Sequence, residues 1–479
     1  MESFYHLRDK AGVQFCQGTA CFAARHLNYE RWKKALAQEG RVYCLGKCYA
    51  APAASTDRAR PDVGIHSPVS VVLSNLVDGK VRALESYVRK SGYRALEKAL
   101  SHPPEKNVEA VETSGLRGRG GAGFPTGRKW RAVYDQSAPE KFVVANADEG
   151  DPGAYIDRML LEDDPHKIIE GLIIAGYAVG ARKGYIYVRS EYPDALDSLN
   201  SAIAEARSRG ILGQRVLDHQ FVFDVEVIVG RGSYVCGEET ALIRSIEGKR
   251  PEVMPRPPYP TEHGLFGNPT LVNNVETLAS IPWIVSNGGE AYRSLGFSTS
   301  RGTKVISLNS LFWRPGLYEI EFGISLKRIV QEIGGGLKEG SLKALLIGGP
   351  LAGILPPEHL DAPFGFDELR SFGASVGHGG IVAFNENTSI LELLHHVFSF
   401  AAYESCGKCT PCRLGSSEAE KMFAATLRGA RVSSENKDEL SDIVSALGTT
   451  SLCGLGTGVA EFAQSAFRYF GTELESCFR

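Results

Sequence analysis

The sequence predicts a multidomain α/β protein, and three observations support this fold class. The chain has 479 residues, enough for two to four domains, and its 43% hydrophobic and 23% charged residues are ordinary for a globular protein. Between about residues 71 and 300, helical periods alternate with short β-rich runs, which is the pattern of an α/β domain. After Thr388 the spacing of apolar residues is helical, so we expect a helical bundle at the C-terminus.

The first 70 residues are predicted to form a small separate unit. Two cysteines, Cys16 and Cys21, precede a predicted helix in "ARHLNYERWKKALAQEG", and Cys44 and Cys48 follow it. The next stretch, "STDRARPDVGIHSP", is polar and contains proline, so it predicts a linker.

Residues 71–300 contain the elements expected of an α/β domain. The stretch "LESYVRKSGYRALEKAL" has apolar residues at near-helical spacing and predicts one helix, whereas "KFVVAN", "GYIYVR" and "FVFDVEVIVG" predict strands. The most apolar run, "GLIIAGYAVGA", is shorter than the roughly 20 residues of a transmembrane helix. We therefore expect this run to form a buried helix.

Residues 301–384 are predicted to form a smaller α+β module, and residues 385–479 the helical bundle. The module is predicted from the strands "KVISL", "GLYEIEF", "LKALLIGG" and "GIVAF", with one helix near "SLKRIVQEI". The bundle is predicted from "TSILELLHHVFSFAAYE", "SSEAEKMFAATLRGA" and "SSENKDELSDIVSALG".

The charge distribution limits the classes of partner. The formal net charge is −3 and the chain has no long Lys/Arg block, which argues against a nucleic acid or an anionic membrane as the main partner. Because the sequence also starts without an apolar signal segment, we expect a cytoplasmic protein with no direct membrane insertion.

Three of the ten cysteines lie within seven positions, in "ESCGKCTPCRLG". Cys406, Cys409 and Cys412 have C-x2-C-x2-C spacing, and Cys453 follows 40 residues later. Three thiolates in one loop with a remote fourth suit a [4Fe–4S] cluster. Structural zinc is the alternative, but it more often uses two separated pairs, so the spacing favours the cluster.

The N-terminal cysteines form a second candidate metal site. Cys16 and Cys21 have C-x4-C spacing, Cys44 and Cys48 have C-x3-C spacing, and 22 residues separate the pairs. These unequal spacings with flanking glycines fit a [2Fe–2S] cluster held by two loops, whereas zinc ribbons prefer C-x2-C pairs. Zinc remains the alternative here as well.

A glycine-rich loop, "SGLRGRGGAGFPTGRKW", contains the pattern Gly118-x-Gly120-x-x-Gly123. An ordinary dinucleotide fingerprint needs a preceding strand, but "EKNVEAVETSG" predicts a helix and Pro125 delays the next one. The loop still offers many backbone N–H groups, which suit a phosphate or pyrophosphate. The alternative is a glycine-rich turn with solvated bases. Four basic residues surround the loop: Arg117, Arg119, Arg128 and Lys129.

Two stretches carry clustered acids. Asp148, Glu149 and Asp151 follow a predicted strand, and Glu238 and Glu239 stand where a loop enters a predicted helix. Acids in these places either act at a site or serve as turn and helix-capping residues.

Four other polar residues have open interpretations. The side-chain amides of Asn273 and Asn274, in "NPTLVNNVETLA", can read a polar ring edge or stabilise a turn. We expect Cys236 to be a small buried residue and Cys477 to be a free thiol.

Taken together, these motifs resemble the flavin-binding, NADH-oxidising subunit family. This family includes the flavoprotein subunit of respiratory complex I and related subunits of NAD-linked formate dehydrogenases, NAD-reducing hydrogenases and electron-bifurcating hydrogenases. The resemblance covers about residues 71–465 and rests on six stretches in one order. They are "GLRGRGGAGFPTGRKW", "NADEGDPGAYIDR", "YVCGEETALIRSIEGKRP", "GLFGNPTLVNNVETLA" and "ESCGKCTPCRLG" with "SLCGLGTG".

The resemblance implies a fold for each part of the chain. Residues 1–70 are similar to a thioredoxin-like [2Fe–2S] domain, and residues 71–300 to a Rossmann-like FMN and NADH domain. Residues 301–384 are similar to a ubiquitin-like β-grasp module of the SLBB type, and residues 385–479 to the helical [4Fe–4S] domain.

The resemblance also implies the residues of each site. Those implied to bind FMN and NAD(H) are Gly118, Arg119, Gly120, Gly121, Gly123, Phe124, Lys129, Asn146, Asp148, Glu149, Asp151, Tyr234, Gly237, Glu238, Glu239, Asn273 and Asn274. Among them, Lys129, Glu238 and Glu239 are implied to act in the reaction. The implied cluster ligands are Cys406, Cys409, Cys412 and Cys453 for [4Fe–4S], and Cys16, Cys21, Cys44 and Cys48 for [2Fe–2S].

The implied activity is hydride exchange between NAD(H) and FMN, followed by one-electron transfer to the clusters. NADH donates two electrons as a hydride while each cluster takes one, so a flavin is needed between them. The fused N-terminal cysteines resemble the β subunits of formate dehydrogenases or of bifurcating enzymes, and the leading hypothesis is the β subunit of a cytoplasmic NAD-dependent formate dehydrogenase. The implied partners are a catalytic formate dehydrogenase or hydrogenase-type subunit and a small [2Fe–2S] subunit.

Other functions remain open at this point. A subunit of a hydrogenase, of an electron-bifurcating complex or of complex I would use the same residues. A zinc-containing scaffold without flavin is the alternative from a different class.

Three features of the sequence depart from the family pattern. Asp151 stands where the family more usually has Glu, and Ala132 stands where an aromatic residue often occurs. The gap of 22 residues between the N-terminal cysteine pairs is shorter than in the separate complex I subunit.

Overall fold

The structure of the chain is a computed structural model that describes residues 12–430 and 433–477, without the side chains of residues 434, 476 and 477. The prediction that Cys477 is a free thiol therefore lies outside the described residues. None of the described helices is long and apolar enough to cross a membrane.

Residues 12–61 contain two short helices, α1 (Thr19–Ala23) and α2 (Tyr29–Ala37), and one isolated β-bridge between Phe15 and Ala54. A thioredoxin-like domain is built on a central β-sheet, and these described residues do not form one, so the expected fold is not seen in this segment. Its apolar side chains instead join the main hydrophobic core, where the ring of Phe22 stacks on His396 at 4.5 Å.

The predicted linker contains a strand. β1 (Asp62–His66) pairs in parallel with residues 316–320 of a later strand, so this part of the linker prediction is wrong. Only one neighbour pairs with β1, which places it at the edge of its sheet. Pro61 and Pro68 stand outside its two ends, where a missing N–H costs no ladder hydrogen bond.

A four-stranded parallel sheet organises the region between residues 71 and 300. Its order is β4-β3-β2-β5, so the chain runs outward from β2 in one direction and returns to the other side of β2. The strands are β2 (Phe142–Ala147), β3 (Lys183–Arg189), β4 (Asp224–Gly230) and β5 (Thr270–Asn274). The carboxyl ends of β2 and β5 therefore flank a topological switch point, where open α/β sheets bind ligands.

Eleven helices of the described residues surround this sheet. They are α3 (Ser74–Val77), α4 (Leu84–Arg89), α5 (Arg94–Leu100), α6 (Pro104–Ser114), α7 (Thr126–Tyr134), α8 (Ile156–Asp163), α9 (Pro165–Val179), α10 (Pro193–Ser208), α11 (Glu239–Ile246), α12 (Val275–Asn287) and α13 (Gly289–Arg293). Helix α6 confirms that the glycine-rich loop follows a helix, and α9 confirms the buried helix.

The single helix predicted over residues 84–100 is wrong, because α4 and α5 are separate. Ser91 and Tyr93 between them have positive φ values of 68° and 65°. Gly92 lies against the ring of Tyr87 so closely that a Cβ would overlap it. The apolar spacing continues through this break, so periodicity alone does not reveal it.

A six-stranded mixed sheet forms the module after residue 295, with β1 at one edge. Its order is β1-β9-β8-β12-β10-β11, and all four predicted strands are present. The elements are the hairpin β6 (Gly296–Phe297) and β7 (Ser300–Arg301), then β8 (Thr303–Leu308), β9 (Gly316–Glu321), α14 (Leu326–Arg328), β10 (Leu342–Ile347), β11 (Ile354–Leu355), α15 (Phe366–Ser371) and β12 (Gly380–Asn385). A π-helical turn over Ile329–Ile333 extends α14.

The predicted C-terminal bundle is confirmed by four helices. They are α16 (Ile390–Glu404), α17 (Ser416–Leu427), α18 (Ser434–Thr450) and α19 (Gly454–Cys477). The three clustered cysteines lie between α16 and α17, and Cys453 directly precedes α19.

We expect Gly171→Ala to destabilise the chain by about 1–3 kcal/mol. Gly171 lies on α9, where an added Cβ would overlap the backbone carbonyl of Leu278 on α12, and neither backbone can yield cheaply. Chemical denaturation would measure the change. Gly471→Ala on α19 is the matched control, since no atom lies within 4 Å of its Cβ position, and it should be neutral or stabilising. Equal effects of the two variants would contradict this packing.

Candidate functional site

A cavity of about 600 Å³ opens at the carboxyl ends of β2 and β5. Its wall combines the glycine-rich loop and the segments after β2 and β4 with parts of the second sheet and of helix α19. The volume lies in the usual range of ligand sites, and the position is the switch point of the parallel sheet.

The glycine-rich loop between α6 and α7 is tied at its base, because Gly118 N donates a hydrogen bond to Phe124 O at 2.8 Å. Gly120 and Gly121 form part of the cavity wall. Gly121 has a φ of 121°, and no atom lies within 4 Å of its Cβ position. A backbone of this kind can approach a ligand closely with its N–H groups.

Asn146 and Asp148 bring the end of β2 to the cavity. Asn146 Nδ2 donates to Gly237 O at 2.7 Å, and its Oδ1 accepts from Asp148 N at 3.1 Å. The Asp148 carboxylate lies 3.2 Å from the guanidinium of Arg189. Burial nevertheless raises the pKa of Asp148 to about 7, because the charged form loses its hydration.

The segment after β4 contributes Tyr234, Gly237 and Glu238 to the wall. Tyr234 OH donates to Asp151 Oδ1 at 2.6 Å. This hydrogen bond holds Asp151, which stands where the family more usually has Glu. Glu238 is the N-cap of α11, where its Oε2 accepts from Thr240 N and Ala241 N. Its other oxygen, Oε1, is buried without a hydrogen-bond partner.

Lys129 and Glu239 form an ion pair of 2.8 Å, and Glu239 also lies 3.0 Å from Arg256. Burial opposes the charge of Glu239, but Lys129 and Arg256 outweigh it and hold the pKa of Glu239 below its usual value. Both side chains remain partly accessible. Five predicted site residues do not line the cavity but lie close to it, in the glycine-rich loop or at the adjoining surface. They are Gly118, Gly123, Phe124, Lys129 and Glu239.

Three predicted ligands have structural contacts away from the cavity wall. Arg119 is fully buried, and its guanidinium donates to Tyr292 OH and to backbone carbonyls. Glu149 is fully buried and caps α8. Asn273 accepts from Trp130 Nε1 at 2.9 Å.

Asp157 and His378 line the cavity, and sequence reasoning missed both. Asn274 Nδ2 donates to Asp157 Oδ2 at 2.6 Å, and the same oxygen lies 3.1 Å from His378 Nε2. Asp157 stands in the stretch "NADEGDPGAYIDR", so its place in this motif could have predicted a site residue. The sequence around His378 contains no such motif. The other missed residues of the wall come from the second sheet, α15 and α19, and include Gly348, Leu351, Arg370, Gly377, Glu461, Gln464 and Arg468.

The C-terminal cysteines converge beside the cavity, and Cys453 lines it directly. Cys406 and Cys412 are buried, whereas Cys409 and Cys453 are half-buried. A hydrogen bond with Cys412 lowers the pKa of Cys409 to about 5. Burial raises the pKa of Cys453 to about 11, and Cys406 and Cys409 add to this as neighbouring charges. The four thiols therefore interact with one another, as the predicted site requires.

The N-terminal cysteines are all buried and lie in two neighbouring pairs. Cys16 raises the pKa of its neighbour Cys21, and Cys44 raises the pKa of its neighbour Cys48. Backbone N–H groups of Gly18 and Gly46 donate to Cys16 and Cys44, each at 3.3 Å, and Ala53 N donates to Cys21 at 3.4 Å. A [2Fe–2S] cluster takes two thiolates on each iron, and such N–H groups support its sulfurs.

The sulfurs of each quartet are not drawn together as tightly as around a single bound ion. Zinc bound by four cysteines has Zn–S bonds of about 2.3 Å, which puts its sulfurs about 4 Å apart. Across the described residues, neither cysteine quartet brings three sulfurs within 4.8 Å of one another.

Comparison with known protein families identifies the family of this chain. Residues 111–283 match the Nuo51 FMN-binding domain, and residues 392–477 match the NADH-ubiquinone oxidoreductase-F iron-sulfur binding region. Subunit HndC of the NADP-reducing hydrogenase of Solidesulfovibrio fructosivorans is 42% identical over 397 residues, 82% of this chain and 80% of its own length. This chain belongs to the Nuo51 family of FMN-binding flavoprotein subunits. It is thus an NAD(H)-dependent oxidoreductase subunit with FMN and a [4Fe–4S] cluster.

Further members of the Nuo51 family support the assignment. The F 2 subunit of the NADH-quinone oxidoreductase of Rhizobium meliloti (strain 1021) is 40% identical over 406 residues, 84% of this chain and 96% of its own length. A chain in the crystal structure of an NAD+-reducing [NiFe]-hydrogenase in the H2-reduced state matches with a TM-score of 0.83 at 30% identity. That match covers 100% of this chain and 86% of the hydrogenase chain. The chain is therefore an NADH-oxidising subunit of the complex I or NAD-reducing hydrogenase type.

We expect Asp148→Asn to change how stability depends on pH. The pKa of Asp148 is about 7 in the folded chain and about 4 in the unfolded chain, so the folded state holds its proton more tightly. Stability from this group is therefore complete below pH 4 and is lost as the pH rises to 7, by up to about 1.4 kcal/mol per pH unit. The variant lacks this loss and should gain stability relative to the wild type between pH 5 and 8.

Urea denaturation at pH 5, 6, 7 and 8 would measure this difference. The exposed Asp442 on α18 supplies the control, Asp442→Asn, which should follow the wild type at every pH. Parallel curves for wild type and Asp148→Asn would contradict the raised pKa.

Proposed function

We propose that this chain is the NADH:acceptor electron-transfer subunit of a multisubunit redox complex, with FMN in the cavity at the switch point. The observation that carries the proposal is that the glycine-rich loop, the end of β2 and Cys453 all border one cavity. Bound there, FMN would accept a hydride from NADH and pass electrons on singly, or do the reverse.

The residues present fit a flavin mononucleotide. Gly120 and Gly121 meet the N-terminus of α12 at Asn274, and together they offer backbone N–H groups and a helix dipole to a phosphate. Asn146, Asp148 and Glu238 line the rest of the wall with amide and carboxylate groups. The buried Oε1 of Glu238 and Oδ1 of Asp157 have no hydrogen-bond partner among the described residues, so a polar ligand would satisfy them.

We assign the nucleotide of NAD(H) to the partly accessible side of the site. Phe124 is 49% exposed, and its ring offers a surface for stacking. The Lys129–Glu239 pair lies nearby and offers a cation and a carboxylate to phosphate and hydroxyl groups. These residues would bind and orient the cofactor, and no general base is required of them.

The second cluster is proposed at the N-terminal cysteines. Cys44 Sγ lies 3.8 Å from the backbone oxygen of Asp151, whose residue borders the cavity. The N-terminal quartet would therefore lie behind one wall of the flavin site and the C-terminal quartet at another. Residues 1–70, 71–300, 301–384 and 385–479 are proposed as the corresponding cluster, flavin, β-grasp and [4Fe–4S] units.

The complex itself is proposed to be a cytoplasmic NAD-dependent formate dehydrogenase, with a catalytic subunit and a small [2Fe–2S] subunit as partners. The fused N-terminal cysteines support this context. A hydrogenase is the second candidate, because similar proteins are named as a hydrogenase subunit and a hydrogenase structure. A complex I-type quinone oxidoreductase is the third, on the likeness to a named NADH-quinone oxidoreductase subunit.

The native complex distinguishes these contexts. The tagged chain would be purified with its partners, which mass spectrometry would identify, and assayed for NAD⁺ reduction with formate and with hydrogen and for quinone reduction by NADH. Formate-dependent NAD⁺ reduction supports the proposal. Hydrogen-dependent or quinone-dependent activity alone would replace it with the second or third candidate.

Anaerobic purification should yield one FMN and about six irons per chain. Cys453→Ser should remove about four irons and Cys16→Ser about two, because each loses one ligand of one cluster. Iron and flavin analysis with EPR of the NADH-reduced sample would measure this. Cys236→Ser is the control, since Cys236 lies buried beside Tyr187 and should leave the iron content unchanged. Stoichiometric zinc without flavin would contradict the function.

We expect Lys129→Ala to raise the KM for NADH roughly tenfold, equivalent to about 1.4 kcal/mol, with unchanged FMN content. The lysine is proposed to bind the nucleotide and not the flavin, so the flavin should stay. Steady-state kinetics with an artificial acceptor would measure KM, and absorbance the flavin. Lys183→Ala is the control. Lys183 lies at the amino end of β3, away from the cavity, and forms a comparable ion pair with Glu226, so its removal should change neither the KM for NADH nor the FMN content. A loss of FMN in Lys129→Ala alone would reassign the residue.

A further inference from the structure

A buried charged cluster forms part of the cavity wall where the parallel sheet region meets the second sheet. His378 Nε2 lies 3.2 Å from Glu149 Oε1 and 3.1 Å from Asp157 Oδ2. All three side chains are buried, at 5%, 0% and 1% exposure respectively. Of these three residues, only Glu149 was predicted to contact the flavin or NAD(H).

The cluster has the composition of a metal site, but the contacts of Glu149 favour an ion pair. Its Oε1 accepts from Ile156 N and Asp157 N, and its Oε2 accepts from Arg158 N. Backbone donors at the start of α8 thus already occupy most of the lone pairs that a metal would need. A protonated imidazole would form ion pairs with both carboxylates without a metal, although its Nε2 forms no hydrogen bond with a described residue.

A chain of contacts joins His378 to the proposed phosphate position. Asp157, which faces His378, accepts from Asn274 Nδ2. Asn274 caps α12, a helix of 13 residues, and the Cβ position of Gly120 lies 2.9 Å from the Asn274 side chain. The histidine therefore lies in the same wall as the glycine-rich loop and the N-terminus of α12.

The second ring nitrogen of His378 is available to a ligand. Neither ring nitrogen forms a hydrogen bond with a described residue, although Nε2 lies within ion-pair distance of the two carboxylates. When the ring is protonated, both nitrogens are donors. The imidazolium can then contact carboxylates on one side and an anion in the cavity on the other.

Other cations near the glycine-rich loop do not serve this position. The guanidinium of Arg119 is turned inward onto Tyr292 and backbone carbonyls. Arg370 and Arg468 also line the cavity, but they lie on α15 and α19, and no hydrogen bond between described residues joins either of them to Asn274.

We propose that His378, held as an imidazolium by Asp157 and Glu149, is the cationic partner of the FMN phosphate. This inference rests on the proposed placement of FMN. A neutral imidazole would leave the Asp157 carboxylate in the wall, and the Glu149 carboxylate behind it, close to a dianion, whereas the imidazolium cancels one of those charges and can donate a hydrogen bond.

The electrostatics of the folded chain support this charge state. Burial opposes protonation, but Asp157 and Glu149 outweigh it and raise the pKa of His378 well above its ordinary value. Burial raises the pKa of Asp157 to about 6, so this carboxylate is largely ionised at neutral pH. The titratable and charged groups that face the cluster are Glu149, Asp151, Asp157, Glu276 and Lys304.

The test compares FMN with riboflavin, which lacks the phosphate. Both flavins would be titrated into the flavin-free full chain at pH 7, 8 and 9, where the FMN phosphate stays dianionic because its second pKa is about 6. His378→Gln should weaken FMN binding about tenfold and leave riboflavin binding unchanged. In the wild type, FMN affinity should fall relative to riboflavin as the pH rises through the pKa of His378, and this dependence should vanish in the variant.

Two further variants complete the test. His378→Lys keeps a cation and should restore part of the preference for FMN. His395→Gln removes a half-buried histidine that lies 3.1 Å from Glu420 on α17, and should behave like the wild type. If His378→Gln does not fold, the pH dependence of the wild type still decides the question.

Each other outcome overturns a distinct statement. A wild type that binds neither flavin would overturn the proposed function itself. Equal weakening of FMN and riboflavin, or no weakening, would overturn the phosphate role while leaving the function intact. A stoichiometric divalent cation in the wild type that is lost from His378→Gln would replace the imidazolium with a metal site.

Discussion

The carboxylate of Glu149 holds the loop on which the rest of the site depends. It accepts three backbone N–H groups at the start of α8, and the backbone oxygen of Glu149 accepts from Tyr192 OH at 2.8 Å. These bonds fix residues 148–155, which lie against the cavity, against Cys44 and against the second sheet through Gly153. A fully buried charge is tolerable here because helix N–H groups and His378 replace its lost hydration.

The proposed flavin site is assembled from distant parts of the chain. The parallel sheet contributes one side through the ends of β2 and β5, and the second sheet and α19 contribute the other. Glycine allows this close approach: Gly380 of the second sheet lies so near the backbone of Gly153 in the loop after β2 that a Cβ would overlap it.

Local sequence patterns predicted most strands, the C-terminal helices and the two cysteine quartets, because periodicity and ligand spacing are local properties. The break between α4 and α5 was missed because Gly92 and Tyr87 meet by a contact that apolar spacing does not encode. β1 was missed because its partner strand lies some 250 residues later. The motif letters also could not say that Arg119 points inward, or that His378 comes to the cavity from another sheet.

The N-terminal segment shares the main core and does not have one of its own. Phe22 stacks on His396 of α16, and Tyr43 packs edge-on against Phe400 of the same helix. If residues 12–61 were fused to a different protein, the aromatic side chains of this segment that pack on α16 would lose their partners. Exchange of this segment between proteins would therefore require the face of α16 to be moved with it.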